Sequence, residues 1–236
     1  MKPTTKIDTT KTPDGGTLEL YEHDGHYFFT VNRQELMSSR EHESELELAR
    51  LACERLAERR NPTVLIGGLG MGYTLRQALD ILPPKATIIV AELLPDVVRW
   101  NRDIIGKLNN HPLRDKRVTV KTVDVAVVMS QSNHGFDAIM LDVDNGPEAM
   151  TDSANNRLYS SSGIKACFRA INAKGCLAIW SASKDKSFEK RLRREHLHVQ
   201  AYHVQKRKGG KSRPRCIWVA SKDRRSLPEY DYSREQ

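Results

Sequence analysis

The stretch Val64–Tyr73, which reads VLIGGLGMGY, decides the fold class of this chain. A short apolar strand leads into four glycines within six positions, and the pattern over Tyr73–Leu82 then predicts a helix. Glycines permit a tight turn and let a ligand approach the backbone, while the start of a helix offers unpaired N–H groups. The spacing GxGxG is neither the GxGxxG of dinucleotide-binding loops nor a P-loop, because no Gly-Lys-Ser/Thr follows. We predict a nucleotide-type binding loop that contains Gly67, Gly68, Gly70 and Gly72.

Downstream of this loop, short apolar runs alternate with longer amphipathic stretches. We expect strands at Thr63–Ile66, Ala86–Ala91, Val118–Thr122, Ala138–Leu141 and Cys176–Trp180, and helices at Tyr73–Leu82, Pro95–Leu108, Asn156–Ile171 and Ser187–Arg194. Such alternation indicates a parallel sheet covered on both faces, because parallel strands need crossover connections. His198–Val204 and Cys216–Ala220 are expected to form an antiparallel hairpin. The predicted fold class is α/β, with a doubly wound, mostly parallel, Rossmann-like sheet that ends in an antiparallel hairpin.

A smaller segment precedes this sheet. Thr17–Tyr21 and Tyr27–Val31 carry strand-forming residues around a turn that ends in Asp24-Gly25, which predicts a small N-terminal β-hairpin. An amphipathic helix is expected over Arg40–Arg59, and the first dozen residues are polar and expected to be loose. We divide the chain into a hairpin-helix segment (1–60), an α/β domain (61–222) and a polar tail (223–236).

The composition limits the class of protein. The 236 residues are 39% hydrophobic and 29% charged, which excludes collagen-like and wholly disordered chains. No apolar run approaches the roughly 18 residues that span a bilayer, and the opening MKPTTKIDTT predicts no signal peptide. Four scattered cysteines without CxxC spacing predict reduced thiols, a cytoplasmic protein and no metal site.

The positive charge is concentrated in the C-terminal third. Residues 151–236 hold 20 Lys and Arg against 8 Asp and Glu, in a chain whose net charge is +8. The densest stretch, Lys206–Arg215, has six cations in ten residues and lies between two predicted strands. It is either a solvated loop or a contact for nucleic acid phosphates.

Carboxylates follow three of the predicted strands, at the sheet edge where open α/β folds bind ligands. Glu92 lies 20 residues beyond Gly72 and is placed to accept both ribose hydroxyls. Asp124 either accepts an adenine amino group or caps the following helix.

The third carboxylate position is a pair, Asp142 and Asp144, which share one side if the strand continues. Paired acids in a cleft can hold a cationic substrate or take a proton from an amine. Asp144 fits a turn equally well, and Tyr159 either lines the acceptor pocket or packs a helix.

These features resemble the spermidine synthase (polyamine aminopropyltransferase) family. The resemblance rests on the loop Gly67–Gly72, on Glu92 and Asp124, and on the sequence FDAIMLD of Phe136–Asp142. It covers about residues 60–182 and extends more faintly to 35–42 and 216–222. It implies a fold of the class I S-adenosylmethionine-dependent methyltransferase type.

The resemblance also implies a reaction. The cosubstrate would be decarboxylated S-adenosylmethionine, with Glu92 on its ribose and Asp124 on its adenine. Asp142 would deprotonate an amine that attacks a carbon next to the sulfonium and releases methylthioadenosine, without a metal. The sequence departs from the family at Gly70, where the family carries an aspartate that holds the cosubstrate's amino group.

Three functions therefore stay open. Aminopropyl transfer to a small amine such as putrescine predicts an acidic pocket, to which Asp142, Asp144 and the acids at Glu41, Glu43 and Glu45 would contribute. Methyl transfer from S-adenosylmethionine, with nucleic acid among the acceptors, is easier to reconcile with Gly70. A non-catalytic relative that binds a partner is the third. We expect no membrane partner, and a homodimer could form through the edges of the N-terminal hairpin.

Overall fold

The computed structural model describes residues 3–143, 157–204 and 214–229. Its strands are β1 (Thr5–Lys11), β2 (Thr17–His23), β3 (His26–Val31), β4 (Gln34–Ser38), β5 (Thr63–Gly67), β6 (Thr87–Ala91), β7 (Val118–Lys121), β8 (Phe136–Leu141), β9 (Ile171–Ser181), β10 (His198–Val204) and β11 (Arg215–Ser221). Its α-helices are α1 (Glu43–Cys53), α2 (Tyr73–Ile81), α3 (Pro95–Asp103), α4 (Val125–Ser130), α5 (Ser161–Ala170) and α6 (Lys186–Arg194).

The main sheet has seven strands in the order β10-β11-β9-β8-β5-β6-β7. Strands β5 to β9 pair in parallel, and β11 is antiparallel to both β9 and β10. Every residue of β8 is buried, as expected for a parallel strand covered on both faces. The doubly wound sheet and its closing antiparallel pair confirm the predicted α/β fold class.

Helices cover both faces of this sheet. One core layer lies under α1, α2 and α3, and Trp100 of α3 contributes the largest fully buried side chain there. The other lies under α4, α5 and α6, where Phe188 packs edge-on against Trp218 at 5.1 Å between ring centroids. Side chains on opposite faces of the same strands therefore belong to separate apolar layers.

The N-terminal segment is a four-stranded antiparallel sheet in the order β1-β2-β3-β4. It contains the predicted hairpin, β2 and β3, with Asp24 and Gly25 at positive φ in the turn. Phe29 of β3 packs on Trp100 at 5.4 Å, so this sheet shares a core with the α/β part. The proposed division at residue 60 stays a prediction.

The expectation that the first dozen residues are loose is wrong for residues 5–11. These residues form β1, in which Asp8 accepts a hydrogen bond from the Trp100 indole at 2.8 Å and Thr10 donates one to Asp96 at 2.6 Å. Most side chains of β1 are exposed, so no apolar alternation marks this edge strand. Backbone pairing and polar anchors hold it instead.

Two other observations bear on composition. All four cysteines are buried and free. Within the described ranges, no helix is both long and apolar enough to cross a membrane.

Candidate active site

A cleft opens at the carboxyl edge of the main sheet, between the strand ends on one side and β4 with α1 on the other. It encloses about 1320 Å³, open mouth included. The described residues that line it and carry charge are Glu35, Glu41, Glu43, Glu45, Glu92, Asp124, Asp142 and Arg215. Among the described lining residues, seven carboxylates thus accompany one guanidinium, in a chain whose net charge is +8. This is the acidic pocket that an amine substrate predicts.

Gly68 and Gly70 of the glycine loop line the cleft, whereas Gly67 and Gly72 are not among its lining residues. Gly68 has a φ of +89°, and a Cβ there would lie 2.2 Å from the carbonyl oxygen of Asp142. The backbones are tied together, since the Asp142 N–H donates to the Gly67 carbonyl at 2.8 Å. Gly72, also at positive φ, is the residue that caps α2. Only glycine allows the loop to turn this closely beside β8.

Glu92 is buried at the end of β6, and its carboxylate is fixed by the backbone. One oxygen accepts the Leu69 N–H at 2.8 Å, and the other accepts the Leu94 N–H at 2.9 Å. The side chain therefore ties the glycine loop to the segment that begins α3.

Asp124 has the predicted role of a helix cap, and its contact with adenine stays a prediction. Its carboxylate accepts the Ala126 N–H at 2.8 Å and caps α4, and the residue also lines the cleft. Val123 and Val125 flank it as apolar lining, and Leu93 adds a side chain that is 37% exposed. This end of the cleft offers an apolar slot with one carboxylate, which suits a flat, nitrogen-containing ring.

Asp142 lines the cleft just beyond β8. Thr74 of α2 donates a hydrogen bond from its hydroxyl to the Asp142 carboxylate at 2.6 Å. Burial, and then the neighbouring charge of Glu45, raise the pKa of Asp142 to about 7, although the Thr74 bond opposes the shift. A carboxylate with such a pKa can accept a proton near neutral pH.

Glu45 is the acidic neighbour that raises this pKa. It lies buried in the first turn of α1, where the Ser44 hydroxyl donates to its carboxylate at 2.6 Å. Burial raises the pKa of Glu45 as well. Two carboxylates from distant parts of the chain therefore share one poorly solvated corner, which disfavours full ionisation of both.

A family model, the spermine/spermidine synthase domain, matches residues 48–204, more than half of the chain. The chain belongs to this family. Two curated polyamine aminopropyltransferases of Prochlorococcus marinus are similar. One, from strain MED4, is 27% identical over 143 residues, or 60% of this chain and 46% of that protein. The other, from strain MIT 9515, is 26% identical over 137 residues, or 58% and 44%. The chain therefore matches less than half the length of these relatives.

Solved structures of spermidine synthases share the fold. The enzyme from Thermotoga maritima superposes with a TM-score of 0.72 at 18% identity, over 94% of this chain and 76% of that one. A spermidine synthase in complex with the transition-state analogue AdoDATO gives 0.71 at 18% identity, over 94% and 75%. These two structures therefore show that the chain shares their overall fold.

Of the two residues predicted for substrate binding, Asp144 lies outside the described residues, and Tyr159 is not among the described residues that line the cleft. Tyr159 is 1% exposed and packs edge-on against Phe188 at 5.6 Å, and its hydroxyl reaches the Val143 carbonyl at 3.4 Å. These contacts fit the helix-packing alternative for Tyr159, and its place in an acceptor pocket stays a prediction.

The basic loop is also largely undescribed. Of Lys206–Arg215, the structure describes Pro214 and Arg215. A nucleic acid contact there, and a homodimer, stay predictions.

Sequence reasoning missed Arg215 and Trp180 as lining residues. The Arg215 guanidinium lies over the Trp180 ring at 5.3 Å from its centroid, at the far end of the cleft from Asp124. Trp180 is only 7% exposed, yet it also lines the cleft. Arg215 could not be recognised as a cleft residue from the sequence, because it is the last cation of the basic stretch Lys206–Arg215.

Proposed function

We propose that this protein transfers an aminopropyl group from decarboxylated S-adenosylmethionine to a small amine. The main support for this proposal is the acidic cleft that contains Asp142. The pKa of Asp142, about 7, suits a proton acceptor. The described lining of the cleft, with seven carboxylates and one guanidinium, favours a cationic substrate there. Membership of the spermine/spermidine synthase family supports the same reaction.

The cosubstrate would occupy the side of the cleft formed by the glycine loop. Glu92 would accept the ribose hydroxyls, and Asp124 would accept the adenine amino group beside Val123 and Val125. A structural neighbour, a spermidine synthase, is in complex with the transition-state analogue AdoDATO, which supports a cosubstrate of this kind. Both carboxylates are already oriented by backbone N–H groups, so little reorganisation is needed on binding.

Asp142 would act on the other reactant. The amine arrives as an ammonium ion, attracted by the acidic lining, and gives one proton to the Asp142 carboxylate. The freed nitrogen lone pair attacks the carbon next to the sulfonium, a C–N bond forms and the C–S bond breaks. The bonding pair goes to sulfur, and neutral methylthioadenosine leaves. Most of the acceleration would come from holding the two reactants in line.

Methyl transfer from intact S-adenosylmethionine is the second candidate, and Gly70 favours it. A Cβ at Gly70 would lie 2.8 Å from the Met37 Cε, so an acidic side chain would require Met37 to move. The described loop therefore offers no carboxylate for the amino group that decarboxylated S-adenosylmethionine carries.

Calorimetric titration with decarboxylated S-adenosylmethionine, S-adenosylmethionine and methylthioadenosine separates the candidates. Aminopropyl transfer predicts tighter binding of the decarboxylated form and of methylthioadenosine, followed by turnover with an amine. Preference for intact S-adenosylmethionine would replace it with methyl transfer. If the protein binds none of the three, both enzymatic functions are wrong and a partner-binding role remains.

A further inference from the structure

Among the described residues that line the acidic cleft, Arg215 is the one cation. It stands at the start of β11, where β11 runs antiparallel to β9, so it reaches the same sheet edge as Trp180. A diamine carries positive charge at both ends and would be repelled by a guanidinium at this end of the cleft. The position of Arg215 therefore needs a reason.

The described part of the chain does not neutralise Arg215 by direct pairing. Its guanidinium donates one hydrogen bond, to the Ala182 carbonyl at 3.3 Å, and no described carboxylate lies within ion-pair distance. Glu45 and Glu41 act on it only through longer-range attraction, and burial lowers the pKa of Arg215. A guanidinium has five N–H donors in a planar fork that matches a carboxylate. The described residues accept only one hydrogen bond from this fork.

The strand order assigns this guanidinium to one side of the reaction. Asp142 follows β8, and the glycine loop, Glu92 and Asp124 follow β5, β6 and β7 on one side of it. Trp180 and Arg215 belong to β9 and β11 on the other side. A cosubstrate bound along β5 to β7 would therefore leave Arg215 facing the acceptor.

We propose that the acceptor is an amine that also carries a carboxylate, an amino acid rather than a simple diamine, and that Arg215 binds this carboxylate. The proposal rests on the proposed transfer reaction and specifies its substrate class. The reacting amine would face Asp142 and Glu45. The carboxylate would accept hydrogen bonds from the Arg215 guanidinium, which lies over the Trp180 ring. Arg215 would act as a specificity-determining residue.

The test compares two probes that differ by one carboxylate. Ornithine is 1,4-diaminobutane with a carboxylate on one terminal carbon, and each is titrated into the protein saturated with methylthioadenosine. We expect ornithine to bind at least roughly tenfold more tightly, as a charge-assisted pair supplies. Equal binding, a preference for 1,4-diaminobutane, or no binding of either would overturn the proposal.

A variant assigns the preference to its residue. Arg215→Gln should remove the advantage of ornithine and leave 1,4-diaminobutane binding equal or tighter, because the repulsive charge is gone. Arg194→Gln, an exposed arginine on α6, is the matched control and should keep the wild-type ratio. An unchanged affinity for methylthioadenosine would show that the Arg215→Gln variant is folded. If that affinity is lost, the Arg215→Lys variant is tested in its place.

Two outcomes separate this proposal from the proposed function. If ornithine is preferred but no amine reacts with decarboxylated S-adenosylmethionine, the transfer reaction fails and the carboxylate site stands. If Arg215→Gln instead changes the relative affinity for S-adenosylmethionine and its decarboxylated form, the carboxylate belongs to the cosubstrate and the acceptor proposal is wrong.

Discussion

The two sides of the cleft are built in different ways. The side with the glycine loop comes from one continuous stretch, from Gly67 to Asp124, and its carboxylates are fixed by backbone N–H groups. The opposite side joins Glu45, Asp142 and Arg215, which come from distant parts of the chain and influence one another through charge and burial. One side is held by local backbone geometry, and the other depends on the tertiary fold.

This difference decides how substitutions act. On the loop side, a change should alter shape and nucleoside affinity, because the groups are positioned by hydrogen bonds to the main chain. On the acceptor side, a conservative change should leave the shape and alter protonation, because the groups are poorly solvated and close together. Substitutions on the two sides should therefore distinguish the shape of the site from the protonation of its side chains.

The largest effect is expected from Asp142→Asn. The amide keeps the size of the side chain but cannot accept the proton of the amine, so kcat should fall roughly 10³-fold, within the range of general base catalysis. Affinity for methylthioadenosine should stay within a few-fold, because the nucleoside lies on the other side. Turnover and calorimetry with the same acceptor measure both quantities.

The control for this variant lies at the other end of the same strand. Asp137 accepts the Thr63 N–H at 2.8 Å and pairs with Arg59, away from the cleft. Asp137→Asn should lower the free energy of unfolding by about 1–3 kcal/mol and leave kcat nearly unchanged. A kcat for Asp142→Asn within tenfold of wild type would remove Asp142 from its role as the base.

The second largest effect is expected from Gly68→Ala, which changes the shape of the loop side. Gly68→Ala places a Cβ 2.2 Å from the Asp142 carbonyl at a φ of +89°, so both contact and backbone strain oppose it. We expect a loss of about 3 kcal/mol in the free energy of unfolding, with weaker binding of methylthioadenosine. Thermal unfolding and calorimetry check the two expectations.

Gly15 offers a matched control for backbone strain alone. Its φ is +87°, and no atom lies within 4 Å of a Cβ built there. Gly15→Ala should cost only about 1–2 kcal/mol, with nucleoside affinity unchanged. Equal losses for Gly15→Ala and Gly68→Ala would show that the close approach to β8 contributes nothing.

The sequence predicted the loop side far better than the acceptor side. Glycine spacing and strand-end acids are local patterns, so Gly68, Glu92 and Asp124 could be placed in the cleft before the fold was known. Arg215 could not, because its partner Trp180 is 35 positions away and the antiparallel pairing of β11 with β9 brings them together.

The N-terminal region shows the same limit. Strand β1 is held by polar contacts to Trp100 and Asp96, about 90 residues away, and carries no apolar alternation that a pattern could detect. Glu45 was recognised as one acid of an amphipathic helix, but its effect on Asp142 depends on how α1 packs beside α2. Long-range packing creates both features.

The smallest expected effect is a shift in the pH dependence of kcat, which reports the protonation of the acceptor side alone. Asp142 must be ionised to accept a proton, so kcat should rise with pH through about 7. Its pKa is raised from an ordinary 3.8, so the folded protein binds this proton more tightly than the unfolded chain does. The contribution of Asp142 to stability is therefore greatest at low pH and declines as pH rises from about 4 to about 7.

Two neighbours should move the midpoint of the kcat profile in opposite directions. Thr74→Val removes the hydrogen bond that stabilises the ionised carboxylate, so the midpoint should rise by roughly 0.5–1 pH unit. Glu45→Gln removes the negative charge that opposes ionisation, so the midpoint should fall by a similar amount. The acceptor is the same in every profile, so its own titration cancels in the differences. The exposed Glu58→Gln should leave the midpoint unchanged. Shifts of the same sign, or none, would mean that a group other than Asp142 sets the profile, because only a carboxylate between these two neighbours responds to them with opposite sign.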